Sequence, residues 1–146
     1  MARFHFPLEK VLRWRAVELA AEEAKLKRLV QEELQLQSLR AEITAERSNL
    51  VSSASALPGL RGDDLGTMAV YSHRLRRKAE NLTQQLVRCE SDLAAQRKNY
   101  SEAKRRMRLL EELKERKLEK WRYEQARLLE QLASESYLAT WNRERF

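Results

Sequence analysis

Residues 68–110 read MAVYSHRLRRKAENLTQQLVRCESDLAAQRKNYSEAKRRMRLL. Steps of four and three residues in alternation land on Met68, Ser72, Leu75, Ala79, Leu82, Leu86, Cys89, Leu93, Gln96, Tyr100, Ala103, Met107 and Leu110. This is a 3.5-residue period, the repeat of a left-handed coiled coil. No Gly or Pro interrupts it, and the intervening positions are mostly Arg, Lys, Glu, Gln and Asn. One helix cannot cover such a stripe alone. A second helix must pack on it, from this chain or from another.

The chain carries a second stripe upstream: Leu8, Leu12, Arg15, Leu19, Glu22, Leu26, Leu29, Glu33, Leu36, Leu39, Ile43, Glu46 and Leu50. Its period is the same, but Arg15, Glu22, Glu33 and Glu46 fall on the seam. Charges buried there are costly unless paired, and a thin two-helix seam lets long side chains bend outward. Pro7 suits a first helical turn, where a missing N–H is no loss. Glu9 suits the positive end of the helix dipole. The pattern predicts one helix over about 5–51.

Between the stripes, residues 52–64 and Gly66 hold all three glycines and Pro58. Such a cluster breaks helices. Asp63 or Asp64 is expected to cap the next helix, with Thr67 as the fallback. The second helix is expected over about 65–143. A short break joining two helices of like period predicts an all-α, antiparallel two-helix coiled-coil hairpin with a longer C-terminal helix, a single unit over 1–146. Leu50 opposite Leu65 gives paired residue numbers adding to about 115, so Phe4 should meet about Leu110. From there the heptad slips, through Lys114 to Leu118, a stutter that locally unwinds a supercoil. Leu118, Trp121, Leu128, Leu132, Leu138 and Trp141 should then overhang without a partner in the chain. Exposed apolar strips of this kind mark binding surfaces; insertion into another protein, self-dimerisation and fraying are the three outcomes.

Composition narrows the function. Charged residues are 35% of the chain and mean hydropathy is −0.72, which argues against a large globular core. The net charge of +7 favours an acidic partner. Cys89 stands alone, so no internal disulfide can form, and its seam position marks it as a small buried apolar residue. No apolar run approaches the ~20 residues of a membrane span, and no signal peptide is visible. The expected location is cytoplasmic.

No catalytic, metal or cofactor signature occurs. His5 and His73 are far apart, the register placing His73 near Ala41 and Glu42, and no zinc-type ligand spacing is present. The glycines of 59–66 lack a Gly-Lys-Ser/Thr element. Basic residues gather at Arg74, Arg76, Arg77 and Lys78. They gather again at Arg97, Lys98, Lys104, Arg105, Arg106, Arg108, Lys114, Arg116, Lys117, Lys120 and Arg122. One reading is a solvated face with intrahelical pairs such as Glu112–Arg116. The other is a positive collar that steers the rod onto an acidic protein partner. The band contains no base-reading arrangement of Asn and Arg, so nucleic acid is not expected. The apolar stripe is too narrow for a membrane surface.

Three stretches, in order, resemble one family. Phe4-His5-Phe6-Pro7-Leu8-Glu9-Lys10-Val11-Leu12-Arg13 resembles the opening of the flagellar export proteins called FliJ. Val70-Tyr71-Ser72-His73-Arg74-Leu75 is similar to that family's Tyr-x-x-x-Leu at the start of the second helix. Ala103-Lys104-Arg105-Arg106-Met107-Arg108-Leu109-Leu110-Glu111-Glu112-Leu113-Lys114-Glu115-Arg116-Lys117 is similar to its basic run into Leu-Glu-x-Leu-Lys-Glu-Arg. The chain departs from the pattern after Glu130-Gln131.

The resemblance implies a hairpin like the central stalk of rotary ATPases. It also implies three partners: a hexameric export ATPase, the cytoplasmic domain of a membrane export gate, and export chaperones. The implied role is to promote ring assembly and help proton motive force drive export, from a position peripheral to the inner membrane. Leu113, Lys114, Arg116 and Lys117 would then lie where the stalk meets the ATPase ring, with Trp121 beside them on the overhang. Tyr71 and Leu75 would face the gate. A monomer is expected when free, and no cofactor. Virulence secretion stalk proteins share the architecture, and a generic coiled-coil scaffold or dimer is the alternative from another class.

Overall fold

The computed structural model describes residues 3–56, 59 and 61–145. Leu57, Pro58 and Leu60 of the expected break lie outside the described residues. Two helices account for almost all the rest: α1, Glu9–Ala56, of 48 residues, and α2, Gly62–Arg145, of 84 residues. The described residues contain no strand. Packing divides the chain into two bodies, Ala20–Ser101 and Met1–Leu19 with Glu102–Phe146.

In the body 20–101 the helices run antiparallel. Leu75, Leu86, Cys89, Leu93 and Gln96 are buried, and Met68, Ser72, Ala79, Leu82 and Tyr100 are half-buried between them. These are the seam positions of the 3.5-residue period. From α1, Leu26, Leu29, Leu36, Ile43 and Leu50 cover them and are only half-buried themselves. Leu39, expected on the same seam, is 46% exposed.

Polar contacts across this body set its register. The Cys89 thiol donates to the Leu29 carbonyl at 3.5 Å. Gln96 Nε2 donates to the Glu22 carbonyl at 3.1 Å and to the Glu22 carboxylate. The Tyr71 hydroxyl donates to Glu46 Oε1 at 2.9 Å. The first two pairs have numbers adding to 118 and the third to 117, not the 115 expected. This places His73 level with Ala45, past Ala41 and Glu42.

The shift has a local cause. α1 continues to Ala56 rather than ending near 51, and α2 begins at Gly62 rather than near 65, so the reversal is centred on Gly59. Ser52, Ser53 and Ser55 stay helical; the Ser55 hydroxyl turns back to the Val51 carbonyl at 3.0 Å, an i−4 bond that helices tolerate. Gly59 has φ of 92°, a left-handed conformation that a Cβ would strain. The Arg61 carbonyl accepts the Leu65 N–H at 3.1 Å, so the helix is already formed there. Asp63 and Asp64 sit inside the first turn, where they favour the helix dipole, and do not cap it. Thr67 likewise is no cap: its hydroxyl donates to the Asp63 carbonyl at 3.0 Å.

The other body pairs the start of α1 with α2 beyond Glu102. Before α1, residues 3–6 are non-helical and Pro7 and Leu8 form a turn. The Phe6 carbonyl accepts the Glu9 N–H at 3.2 Å, and Leu8 accepts Leu12 at 2.9 Å. Pro7 thus stands just before the helix, and α1 begins at Glu9, four residues later than the expected start near residue 5. Phe6, Leu12 and Ala103 are buried; Leu8, expected to open the seam, is 36% exposed, whereas Phe6 two residues earlier is 3% exposed. Met107, Leu110, Leu113, Lys114, Leu118, Trp121 and Gln125 are half-buried, and from Ala126 to Arg145 every residue is exposed. Leu118 and Trp121 are therefore covered, and bare helix starts about sixteen residues later than Leu110.

Two outcomes test this packing. Leu93→Ala, at a 2% exposed site, should lower the unfolding free energy by about 2–5 kcal/mol. Leu128→Ala, at an exposed site, should change it by less than about 0.5 kcal/mol. Urea titration followed by circular dichroism distinguishes them; equal losses would refute the seam. Burial, then the neighbouring Glu32, Glu33, Asp92 and Glu90, pushes the Cys89 thiol up from its ordinary pKa. Ellman's reagent at pH 8 should react with it slowly in the native chain and rapidly in urea.

Candidate partner-binding surface

Among the described residues no group of three His, Cys, Asp or Glu side chains is placed to hold a metal ion. His5 and His73 are both exposed, each in a different body. What the fold offers is surface, and the residues singled out from sequence sort themselves on it.

In the body 20–101, Tyr71 is 41% exposed and leans across to Glu46. That hydrogen bond, then partial desolvation and the carboxylate charge, raise its pKa. Leu75 is 2% exposed. It is held in the seam, so of the two residues expected to face a gate only Tyr71 presents surface.

In the terminal body, Leu113 is half-buried in the pairing. Lys114 Nζ lies 2.9 Å from Glu9 Oε2. Lys117 Nζ lies 5.9 Å from the centre of the Phe6 ring, a cation–π distance. Trp121 faces Phe4, ring centres 6.0 Å apart and planes inclined at 57°. Arg106 reaches Glu18 and Glu102, each at 3.4 Å. Rising numbers on α2 meet falling numbers on α1 and its lead-in, so the pairing is antiparallel here too. Arg116 is exposed and, among the described residues, has no carboxylate within 4.0 Å. The expectation that Trp121 overhangs without a partner is corrected: Phe4 covers it.

The sequence reading missed Phe4 and Phe6 as partners of Trp121 and Lys117. The signal was present. Apolar residues just before a helix with Pro in its first turn commonly fold back to fix the chain's entry. Here they clamp the far helix instead.

Past Gln125 the surface changes. Leu128, Leu129, Leu132, Tyr137, Leu138 and Trp141 are 43–70% exposed. The Arg145 guanidinium stacks 4.4 Å from the Trp141 ring centre. Glu130, Glu135 and Glu144 balance Arg127, Arg143 and Arg145 in this stretch. The excess of positive charge thus lies before Arg122, beside the clamp, and the bare apolar face follows it. No helix among the described residues is long and apolar enough to cross a membrane.

No curated protein and no solved structure matches the chain. A family profile does: that of the flagellar FliJ protein, over residues 4–137. The match takes in the aromatic lead-in, α1, the basic band and α2 as far as Tyr137, twelve residues into the bare face. The chain therefore belongs to the flagellar FliJ family, and is a non-catalytic component of the flagellar export apparatus.

Proposed function

We propose that this protein is the stalk of the export apparatus. It would bind the hexameric export ATPase through the terminal body and the cytoplasmic domain of the export gate through the surface around Tyr71. It would thereby promote ring assembly and couple export to proton motive force, peripheral to the inner membrane through its partners. An escort role for export chaperones fits the same exposed surfaces.

The observation that carries the reading is the uncovered face over 126–145. A helix with that many exposed leucines and aromatics is stabilised by covering it. The positive band immediately before it suits an opening lined with carboxylates, because complementary charge speeds docking and fixes its orientation. Lys114 and Lys117 are engaged by Glu9 and Phe6, so of the three basic residues that the family resemblance singles out Arg116 is the one most available to a partner. Trp121 contributes through the clamp it forms with Phe4.

Leu128→Ala/Leu132→Ala should weaken binding to the export ATPase at least about tenfold, and Arg116→Glu about three- to tenfold. Both variants should keep the helix content and urea midpoint of the unaltered chain. Calorimetry with the purified ATPase measures the affinities. Unchanged binding in both variants would refute the assignment. A concentration-dependent dimer in sedimentation, lost in the Leu128→Ala/Leu132→Ala variant, would favour the scaffold reading instead.

A further inference from the structure

The aromatic lead-in does more than clamp α2. With the first turns of α1 it walls a groove of about 470 Å³, lined by Phe4, His5, Phe6, Glu9, Lys10, Arg13 and Lys114. That size is ordinary for a small binding site. From this juxtaposition of aromatic wall and cationic rim we infer that the groove receives an acidic peptide segment of a protein partner, with a carboxylate between Lys10 and Arg13 and an apolar side chain against Phe4.

Charge is the first support. The groove has three basic side chains besides His5 and a single carboxylate, Glu9. Glu9 is neutralised by Lys114 at 2.9 Å. Among the described residues, neither Lys10 nor Arg13 has a carboxylate oxygen within 4.0 Å, and both are exposed. They stand three residues apart on α1, which makes them neighbours on one helix face. Arg13 offers the planar fork that grips a carboxylate with two parallel hydrogen bonds, and Lys10 adds a point charge beside it.

Pre-organisation is the second support. Phe4 is backed by Trp121 and Phe6 by Lys117, so the wall is fixed before a ligand arrives. A fixed wall reduces the ordering cost of binding. The mixture of ring and cation selects against a bare polyphosphate, which needs a track of charge along its length. A peptide alternating acidic and bulky apolar residues matches both parts. The collar plays no part beyond Lys114, so this inference stands or falls separately from ATPase binding.

The test uses the full chain and a fluorescein-labelled peptide, Leu-Asp-Glu-Phe-Glu-Leu, followed by anisotropy. The comparison peptide replaces each acid with its amide. The unaltered chain should bind the acidic peptide at least about tenfold more tightly than the amide one. Lys10→Glu/Arg13→Glu should weaken the acidic peptide at least about tenfold, and Phe4→Ala about threefold or more, with unchanged circular dichroism. No binding by the unaltered chain, equal affinity for the two peptides, or equal affinity in the charge-reversed variant would overturn the inference. So would displacement of the peptide by equimolar inorganic phosphate, which would mark a simple anion site. Lys10→Glu/Arg13→Glu leaves Lys114, Arg116, Lys117 and the Phe4–Trp121 clamp untouched, so in that variant intact ATPase binding alongside lost peptide binding would separate the two surfaces.

Discussion

A two-helix seam has no third side. Every residue on it is covered from one direction only, and this governs the energetics of the whole chain. In larger cores an apolar side chain is enclosed by many neighbours. Here, among the described residues, the apolar side chains that reach full burial are few: Leu75, Leu86, Cys89 and Leu93 in one body, Phe6, Leu12 and Ala103 in the other. The α1 leucines facing them remain half-exposed. Stability must therefore come from many shallow contacts held in register, and length substitutes for depth.

The same openness explains how charged residues survive on the seam. Arg15 turns sideways to Glu18 at 2.8 Å, Glu33 accepts from Gln37 at 3.2 Å, and Glu46 accepts from Tyr71. Each keeps contact with water while finding a partner. Gln96 is different: it is 8% exposed, and both of its hydrogen bonds end on Glu22. A sliding of the helices by one heptad would still match leucine to leucine. It would exchange the Glu22 carboxylate for Leu29 in one direction or for the Arg15 cation in the other, so in either case the Gln96 amide loses its charged acceptor. Leucines hold the rods together, and this one polar pair makes a single alignment preferable. Single buried polar residues fix register in the same manner in other coiled coils.

The heptad on α2 was readable to the residue from Met68 through Leu110, because an unbroken 3.5-residue repeat over that length has no competing explanation; past the stutter both Leu113 and Lys114 turn toward the pairing. The break was readable in kind but not in extent. Serine is depleted from helix interiors on average, yet Ser52, Ser53 and Ser55 remain helical, and the centre of the turn moved accordingly. The landing place of Phe4 was misjudged for a further reason. The non-helical residues 3–6 set Phe4 against Trp121, numbers adding to 125, but the helical pairs Glu9–Lys114 and Glu18–Arg106 already add to 123 and 124, so the shift precedes the lead-in. Long side chains add to this, since each leans toward its own helix N-terminus. In an antiparallel pair that brings higher-numbered partners together, as with Lys114 and Glu9.

The surface residues were legible as chemistry and not as availability. Periodicity alone tells that Leu75 lies on the seam, and a seam position argues against a partner-facing role; a motif shared with relatives pulled the other way. The basic run was visible, but not which members were taken. Glu9 and Phe6 engage Lys114 and Lys117 from a segment about a hundred residues away in sequence, and no local pattern reports a contact at that separation. The consequence reaches function. A partner that approaches the collar meets a surface made jointly by the lead-in and α2, not a bare basic helix. Removing Phe4 or Phe6 would therefore change what the collar presents even though neither carries a charge, and the aromatic lead-in belongs to the recognition surface as much as the lysines it holds.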